Sequence, residues 1–242
     1  MLEGLYSAAS GMEAQQQQFD AISNDISNVD TPGYQSTIVG FHDLLYSNGE
    51  YGSDVPTGAG AEAQLVGYDQ SEGAIQQTGQ PLDVAINGSG YLEVRRQDGT
   101  IGLTRDGALQ LNSKRQLTTQ TGMLVQPPIT IPTGVPTSQV SISSNGTIQA
   151  NGKTLGKLSL VDVPAPDGLV PQGDNTFSAT AASGGIKAAK NATLQQGALE
   201  GSNVNLGDEM AKMMTAQQEY SMSSQAVQYQ AQMLQIANEI KP

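Results

Sequence analysis

The feature that most constrains this chain is a pair of apolar stripes, one near each end. Leu5, Ala8, Met12, Gln15, Phe19, Ile22, Ile26 and Val29 recur at alternating intervals of three and four. Leu206, Met210, Met213, Gln217, Tyr220, Ser224, Val227, Ala231 and Leu234 do the same. Such spacing collects side chains on one face of an α-helix. At about 1.5 Å per residue, the two helices are predicted to run roughly 40 Å and 50 Å. Neither can bury its stripe alone, so the two ends of the chain are predicted to pair. Polar Gln217 and Ser224 interrupt the second stripe. That makes it a poor seam for a stand-alone coiled coil and a better partner for several neighbouring helices.

The first helix runs into "SNDISNVDTPGY" at 23–34 and is predicted to stop near Asn28. Pro32 holds Thr31 in extended geometry and has no amide to donate, and Gly33 can supply a turn. On these grounds alone, alanine at both positions is expected to lengthen the helix by a turn at little cost to the isolated chain. For the second helix, Asn203 or Asn205 is the predicted cap. Asp208 and Glu209 stand in its first turn, where carboxylates suit the helix dipole.

Between the helices the pattern changes. Residues 36–80 are rich in Gly, Ser and Gln and read as an irregular or extended connector, as in "YSNGEYGSDVPTGAGAEAQ". Residues 81–180 read as short strands: "LDVAI", "GYLEVR", "GLTRDGALQL", "QVSISSNGTIQ" and "KLSLVDV". Asp98-Gly99, Asp106-Gly107, Asn145-Gly146 and Asn151-Gly152 are predicted hairpin turns. Residues 181–195 are rich in Ala and Gly and are expected to be irregular. The predicted fold class is α+β. Residues 1–35 with 200–242 form a stem of paired helices, 36–80 a connector, and 81–199 a mostly antiparallel β-rich outer domain.

Composition narrows the function. Of 242 residues, 23 are acidic and 11 basic, and the net charge is −12. Residues 1–94 hold thirteen carboxylates and no Lys or Arg. Phosphate affinity needs basic neutralisation, so neither nucleic acid nor an anionic membrane surface is an expected partner. There is no cysteine, which excludes disulfides and thiolate chemistry. "MLEGLYSAASGMEAQQ" lacks the features of a cleavable signal peptide, and no run is long enough to span a membrane.

No catalytic constellation stands out, and no metal or cofactor is expected. His42 is the only histidine, and a packed or exposed side chain is its simplest role. "NGSGY" at 87–91 has some likeness to a phosphate loop, but no lysine follows it, and a turn between strands accounts for it better. Asp98 and Asp106 are explained by turn chemistry. Met210, Met213, Met214, Met222 and Met233 suit either an adaptable apolar surface or ordinary core.

The stretch "LYSAASGMEAQQQQFDAISNDISNVDTPGYQ" resembles the N-terminal signature of bacterial flagellar rod and hook proteins. Ser23, Asn24, Ile26, Asn28, Thr31, Pro32, Gly33 and Tyr34 lie in that motif, with Asp25 where the family has Asn and Ser27 where it has Ala. "LEGSNVNLGDEMAKMMTAQQEYSMSSQAVQYQAQMLQIAN" resembles the closing helix of the same family, opening at Ser202, Asn203 and Val204. "PLDVAINGSGYLEV", "LTRDGALQLNSKRQL" and "LVQPPITIP" are similar to the β domain of its distal rod members. The resemblance covers nearly the whole chain and is least pronounced over 47–80.

It implies a non-enzymatic structural subunit of the distal rod in the flagellar basal body, transmitting torque from motor to hook. It further implies export through the flagellar type III apparatus and assembly into a helical homopolymer that meets other rod and hook proteins. Helix packing in that assembly would fall to Leu5, Met12, Phe19, Ile22, Ile26, Met210, Met213, Tyr220, Val227 and Leu234. A proximal rod or hook-type subunit is the nearest alternative. A secreted β-domain hydrolase or an adhesin is the alternative of another class.

Overall fold

The computed structural model describes residues 2–44 and 60–239. The chain forms two compact units. A helical unit comprises Met1–Ser27, Thr37–Val66 and Asn205–Pro242, and a β unit comprises Asn28–Ser36 and Gly67–Val204. The α+β class predicted from the two stripes and the short strands between them is the class observed, with an antiparallel β region inserted between terminal helices.

In the helical unit, α1 spans Leu2–Ser27 and α2 spans Leu206–Glu239. Asn205 caps α2. Its Oδ1 accepts the Gly207 N–H at 3.0 Å, and its carbonyl accepts the Glu209 N–H at 3.0 Å. The helices pack together. Ala14 and Ala216 are both buried, and their small side chains let backbones approach closely. Phe19 and Tyr220 flank a cleft of about 170 Å³, also lined by Gln15, Gln16, Ala216 and Gln217. The fit is not tight in hydrogen bonding either. Gln15 Oε1, Gln18 Oε1 and Gln230 Oε1 are enclosed without a partner, which costs free energy.

Part of the stretch read as a connector is regular. β1 (Thr37–Asp43) pairs with β2 (Ala61–Tyr68) as a hairpin, and Gly60 O accepts the Leu44 N–H at 2.9 Å. The tip of that hairpin, 45–59, lies outside the described residues. The hairpin is fastened along α1 at both ends. Asp25, which is only 2% exposed, receives the Thr37 N–H at 3.2 Å and 3.1 Å on its two carboxylate oxygens. Fifteen residues earlier in the helix, Ser10 Oγ accepts the Ala61 N–H at 3.3 Å. Fifteen helical residues rise about 22 Å, and the seven residues of β1 span about 23 Å at strand spacing. The two lengths match, which is why one strand can run the distance between the anchors.

The β unit is built from β3 (Ile75–Gln77), β4 (Val84–Asn87), β5 (Tyr91–Arg95), β6 (Ile101–Thr104) and the short strands that follow. β5 and β6 pair antiparallel across the Asp98-Gly99 turn, with Glu93 opposite Leu103 and Val94 opposite Gly102. β5 divides two cores because successive side chains point to opposite faces. Leu92 and Val94 face a cluster with Ile86, Leu117, Val125, Ile131, Ile148 and Leu158. Tyr91 faces the other, with Tyr68, Leu103, Val161 and Phe177. Tyr68 and Phe177 meet edge-to-face at 4.9 Å.

Turn chemistry decides the local connections. Asn151 and Gly152 both have positive φ, 51° and 75°, and Ala150 pairs directly with Lys153 across them. A two-residue hairpin demands this geometry. Asp106-Gly107 departs from expectation. The strands on either side of it do not pair with each other. The Gly107 carbonyl accepts the Val84 N–H at 3.0 Å instead, and a Cβ on Gly107 would overlap the Val84 carbonyl. This glycine marks a close backbone crossing rather than a hairpin. The stretch 181–195, expected to be irregular, holds Lys187–Ala188 paired with Val161 and Asp162, and Thr193–Gln196, which runs one residue past it, pairs with β4 along its whole length.

The two units differ in core. Among the described residues of the helical unit, the buried apolar side chains are Ala14, Ile22, Ala63 and Ala216, whereas the β unit has two full clusters. Hydrogen exchange on dilute protein should therefore show α1 and α2 exchanging much faster than β4, β5 and β6. Equal protection in both units would mean that stability does not follow the buried apolar clusters.

Candidate functional site

The two sequence motifs meet inside the β unit. Asn28 O accepts the Thr31 N–H at 3.1 Å, which closes the turn after α1. Gly33 has φ +65° and donates its N–H to Glu200 O at 2.8 Å. Tyr34 O accepts the Asn203 N–H at 3.2 Å, and Asn203 Oδ1 accepts the Ser36 N–H at 2.8 Å. The Asn203 amide group donates in turn to Asp69 O at 2.9 Å and Ser71 O at 3.2 Å. Asn203 thus does not cap α2. It clasps the outgoing chain to the returning one. Ser202 Oγ accepts the Val204 N–H at 3.2 Å, and Val204 is buried. Pro32 O receives Asn175 Nδ2 at 2.8 Å.

Beneath the clasp lies a buried ion pair. Arg105 Nε lies 3.0 Å and 2.9 Å from the two carboxylate oxygens of Glu200, and the side chains are 2% and 3% exposed. The remaining guanidinium nitrogens donate to Gly90 O and Gly88 O, both at 3.3 Å. The Tyr91 ring lies 6.0 Å from the guanidinium. Glu200 also accepts the Gly73 N–H at 3.2 Å. Burial pushes the Glu200 carboxyl above its ordinary range, while Arg105 and the Gly73 amide pull the other way. In "NGSGY", then, two carbonyls face a cation, while the Gly88 N–H donates to the Glu72 carboxylate at 2.8 Å.

Gly33 rests directly on this arginine. A Cβ there would come within 2.6 Å of Arg105 C and 2.7 Å of Arg105 O and Asp106 N. The expectation that alanine at this place costs the isolated chain little is thus overturned. The glycine is required by contact as well as by φ.

The stripe residues divide by exposure. Ile22 is buried, and Met12, Phe19, Ile26, Met213 and Val227 are half-buried. Met210 and Tyr220 are exposed. The side chains of Leu5 and Leu234 lie outside the described residues. In the motif, Ser23 O accepts Ser27 Oγ at 2.8 Å, and Asn24 is exposed. The stripe does not include the most exposed apolar residues of α2. Met214, Met222, Tyr229, Met233 and Ile236 are 56–64% exposed. At about 100° per residue they fall on the side of the helix opposite buried Glu209 and Ala216. A spacing rule that seeks one stripe overlooks this second face. Arg105, Glu200 and Asn175 were also missed. For Arg105 and Glu200 the only signal was a single arginine in "GLTRDGAL" and a single glutamate among small and apolar neighbours in "GALEGS"; Asn175 had none. Among the described residues, no group of His, Asp or Glu is placed to hold a metal ion.

Three outcomes test the clasp. Arg105→Leu leaves Glu200 buried and unpaired, and should cost the β unit about 3–5 kcal/mol by denaturant titration. Arg105→Met combined with Glu200→Gln should recover part of that loss; an equal loss would mean the charges do not act as a pair. Gly33→Ala should lower the same midpoint, whereas Gly122→Ala, where a Cβ meets nothing within 4 Å, should lower it less. The third outcome concerns pH. Burial raises the Asp106 carboxyl above its ordinary 3.8, opposed by the Ala108 N–H it accepts and aided by Asp83. The folded chain then holds this proton more firmly than the unfolded chain. The contribution to stability is full below pH 3.8 and is lost as pH rises through the folded value. Asp106→Asn keeps the acceptor without the charge, so it should stabilise at pH 7 and change little near pH ~3.

Three regions match described families. Residues 5–35 match the flagella basal body rod protein family. Residues 85–150 match the flagellar hook protein FlgE/F/G D1 domain. Residues 195–240 match the flagellar basal body rod FlgEFG protein C-terminal region. The chain is 35% identical over 263 aligned positions to the flagellar basal-body rod protein FlgG of Borreliella burgdorferi, covering 100% of this chain and 99% of the relative. It is 35% identical to FlgG of Caulobacter vibrioides, with 99% and 100% covered. It is 34% identical to FlgG of Buchnera aphidicola subsp. Acyrthosiphon pisum, with 97% and 98% covered. With both motifs, the β domain and the full length matched, the chain belongs to the FlgG family of flagellar basal-body rod proteins.

Proposed function

We propose that the chain is a non-enzymatic subunit of the distal rod. Copies assemble through their helical units into a helical tube that carries torque from motor to hook. The observation that carries this reading is the second apolar face of α2, formed by Met214, Met222, Tyr229, Met233 and Ile236 and exposed in the single chain. Apolar side chains left exposed together on one helix face mark a site of association. Methionines suit contacts that differ slightly from neighbour to neighbour. Exposed Ile38, Phe41, Leu65 and Val66 add further apolar side chains, on both faces of the hairpin strands, in the same unit. Contacts between unlike surfaces give rings where the rotation closes and open helical polymers where it does not, rather than two-fold dimers. Other rod and hook proteins would meet the ends of such a polymer, and export would run through the flagellar type III apparatus.

Met214→Asp together with Met222→Asp tests the reading. Both side chains are about 60% exposed, so the lone chain should tolerate the change. Burial in an assembly would then place unpaired carboxylates in an apolar contact, at several kcal/mol each. The variant should keep the circular dichroism and unfolding midpoint of the β unit. Cells carrying it in place of the natural chain should have truncated basal bodies and no motility. Normal rods would overturn the assignment of this face.

A further inference from the structure

The net charge is divided unequally between the two units. The helical unit carries twelve carboxylates against two lysines, a net of −10. The larger β unit carries eleven carboxylates against nine Lys and Arg, a net of −2. Among the described residues of the helical unit the one cation is Lys212, and Glu209 holds it at 2.7 Å. Glu13, Asp20, Asp43, Glu62 and Asp208 are exposed around the same helices and hairpin that carry the exposed apolar side chains.

We infer that assembly through the helical unit is gated by ionic strength: like charge holds copies apart in dilute salt, and screening releases the apolar contact. This rests on the reading that copies meet through that unit. Packed helices lie about 8–10 Å apart. At 0.01 M salt the Debye length is about 30 Å, so charges on adjoining copies repel almost unscreened. At physiological ionic strength it falls to about 8 Å, comparable with the helix spacing. The helical unit offers a second copy almost no cation with which to pair, so salt has little attraction to weaken and much repulsion to remove. The sign is therefore opposite to that of a contact held by salt bridges, which weakens as salt rises.

Sedimentation of purified chain over a salt series, from about 0.01 M to about 0.3 M, reads this directly. The concentration needed for assembly should fall by about tenfold or more across the series. Glu13→Gln combined with Glu62→Gln, both exposed and both in the helical unit, should assemble at lower salt than the natural chain. Asp167→Asn combined with Asp174→Asn, exposed in the β unit, should track the natural chain. Assembly that is independent of salt or weakened by it overturns the inference, as does an equal effect of the two pairs of substitutions. No assembly at any salt counts against the reading of the helical unit as the assembling part.

Discussion

The buried pair of Arg105 and Glu200 is the interaction on which the β unit depends. A guanidinium and a carboxylate removed from water are tolerable only when each is paired and hydrogen-bonded. Here the arginine takes the carbonyls of Gly88 and Gly90, and the glutamate takes the Gly73 amide. One charge pair thus fixes the turn before β5, the segment before β3 and the strand that returns toward α2. The Glu200 carbonyl in turn receives Gly33 from the chain leaving α1. Removing either charge therefore disturbs segments remote in sequence, although none of them belongs to the same hairpin.

Much of this architecture is legible in the sequence because it rests on short-range rules. The intervals of three and four announce α1 and α2, Pro32 announces the end of α1, and Asn151-Gly152 announces a two-residue turn. What escaped are features set by partners distant in the chain. Gly107 looks like a hairpin glycine until Val84 is found against it. Asn203 looks like a helix cap until Tyr34, Ser36 and Asp69 are found around it. Asp25 looks like a mild replacement for Asn until its carboxylate is seen closing on the Thr37 amide. In each case the residue type was suited to two local roles, and a contact across many residues chose between them.

Division of labour between the units follows from how each keeps its apolar groups. The β unit encloses them on both faces of β5 and is complete in one chain. The helical unit buries mostly alanines and leaves methionines and tyrosines outside. Propensity and pattern favour helices there, yet packing within one chain leaves the larger side chains uncovered. A subunit built this way carries a settled fold beside surfaces that have not finished burying their apolar area.

The helical unit is also split in the order of the chain: α1 is drawn from the first residues and α2 from the last, with the whole β unit between them. Joining them closes a loop of nearly the full chain, and the entropic cost of a loop grows only slowly with its length. The delay it imposes is of another kind. Whichever end of the chain is made or delivered first, its helix must wait for the other, while the β unit needs only the segments between. Completion of the helical unit thus requires that everything from α1 to α2 has arrived. A chain interrupted anywhere between α1 and α2 lacks one of the two helices and cannot form the pair.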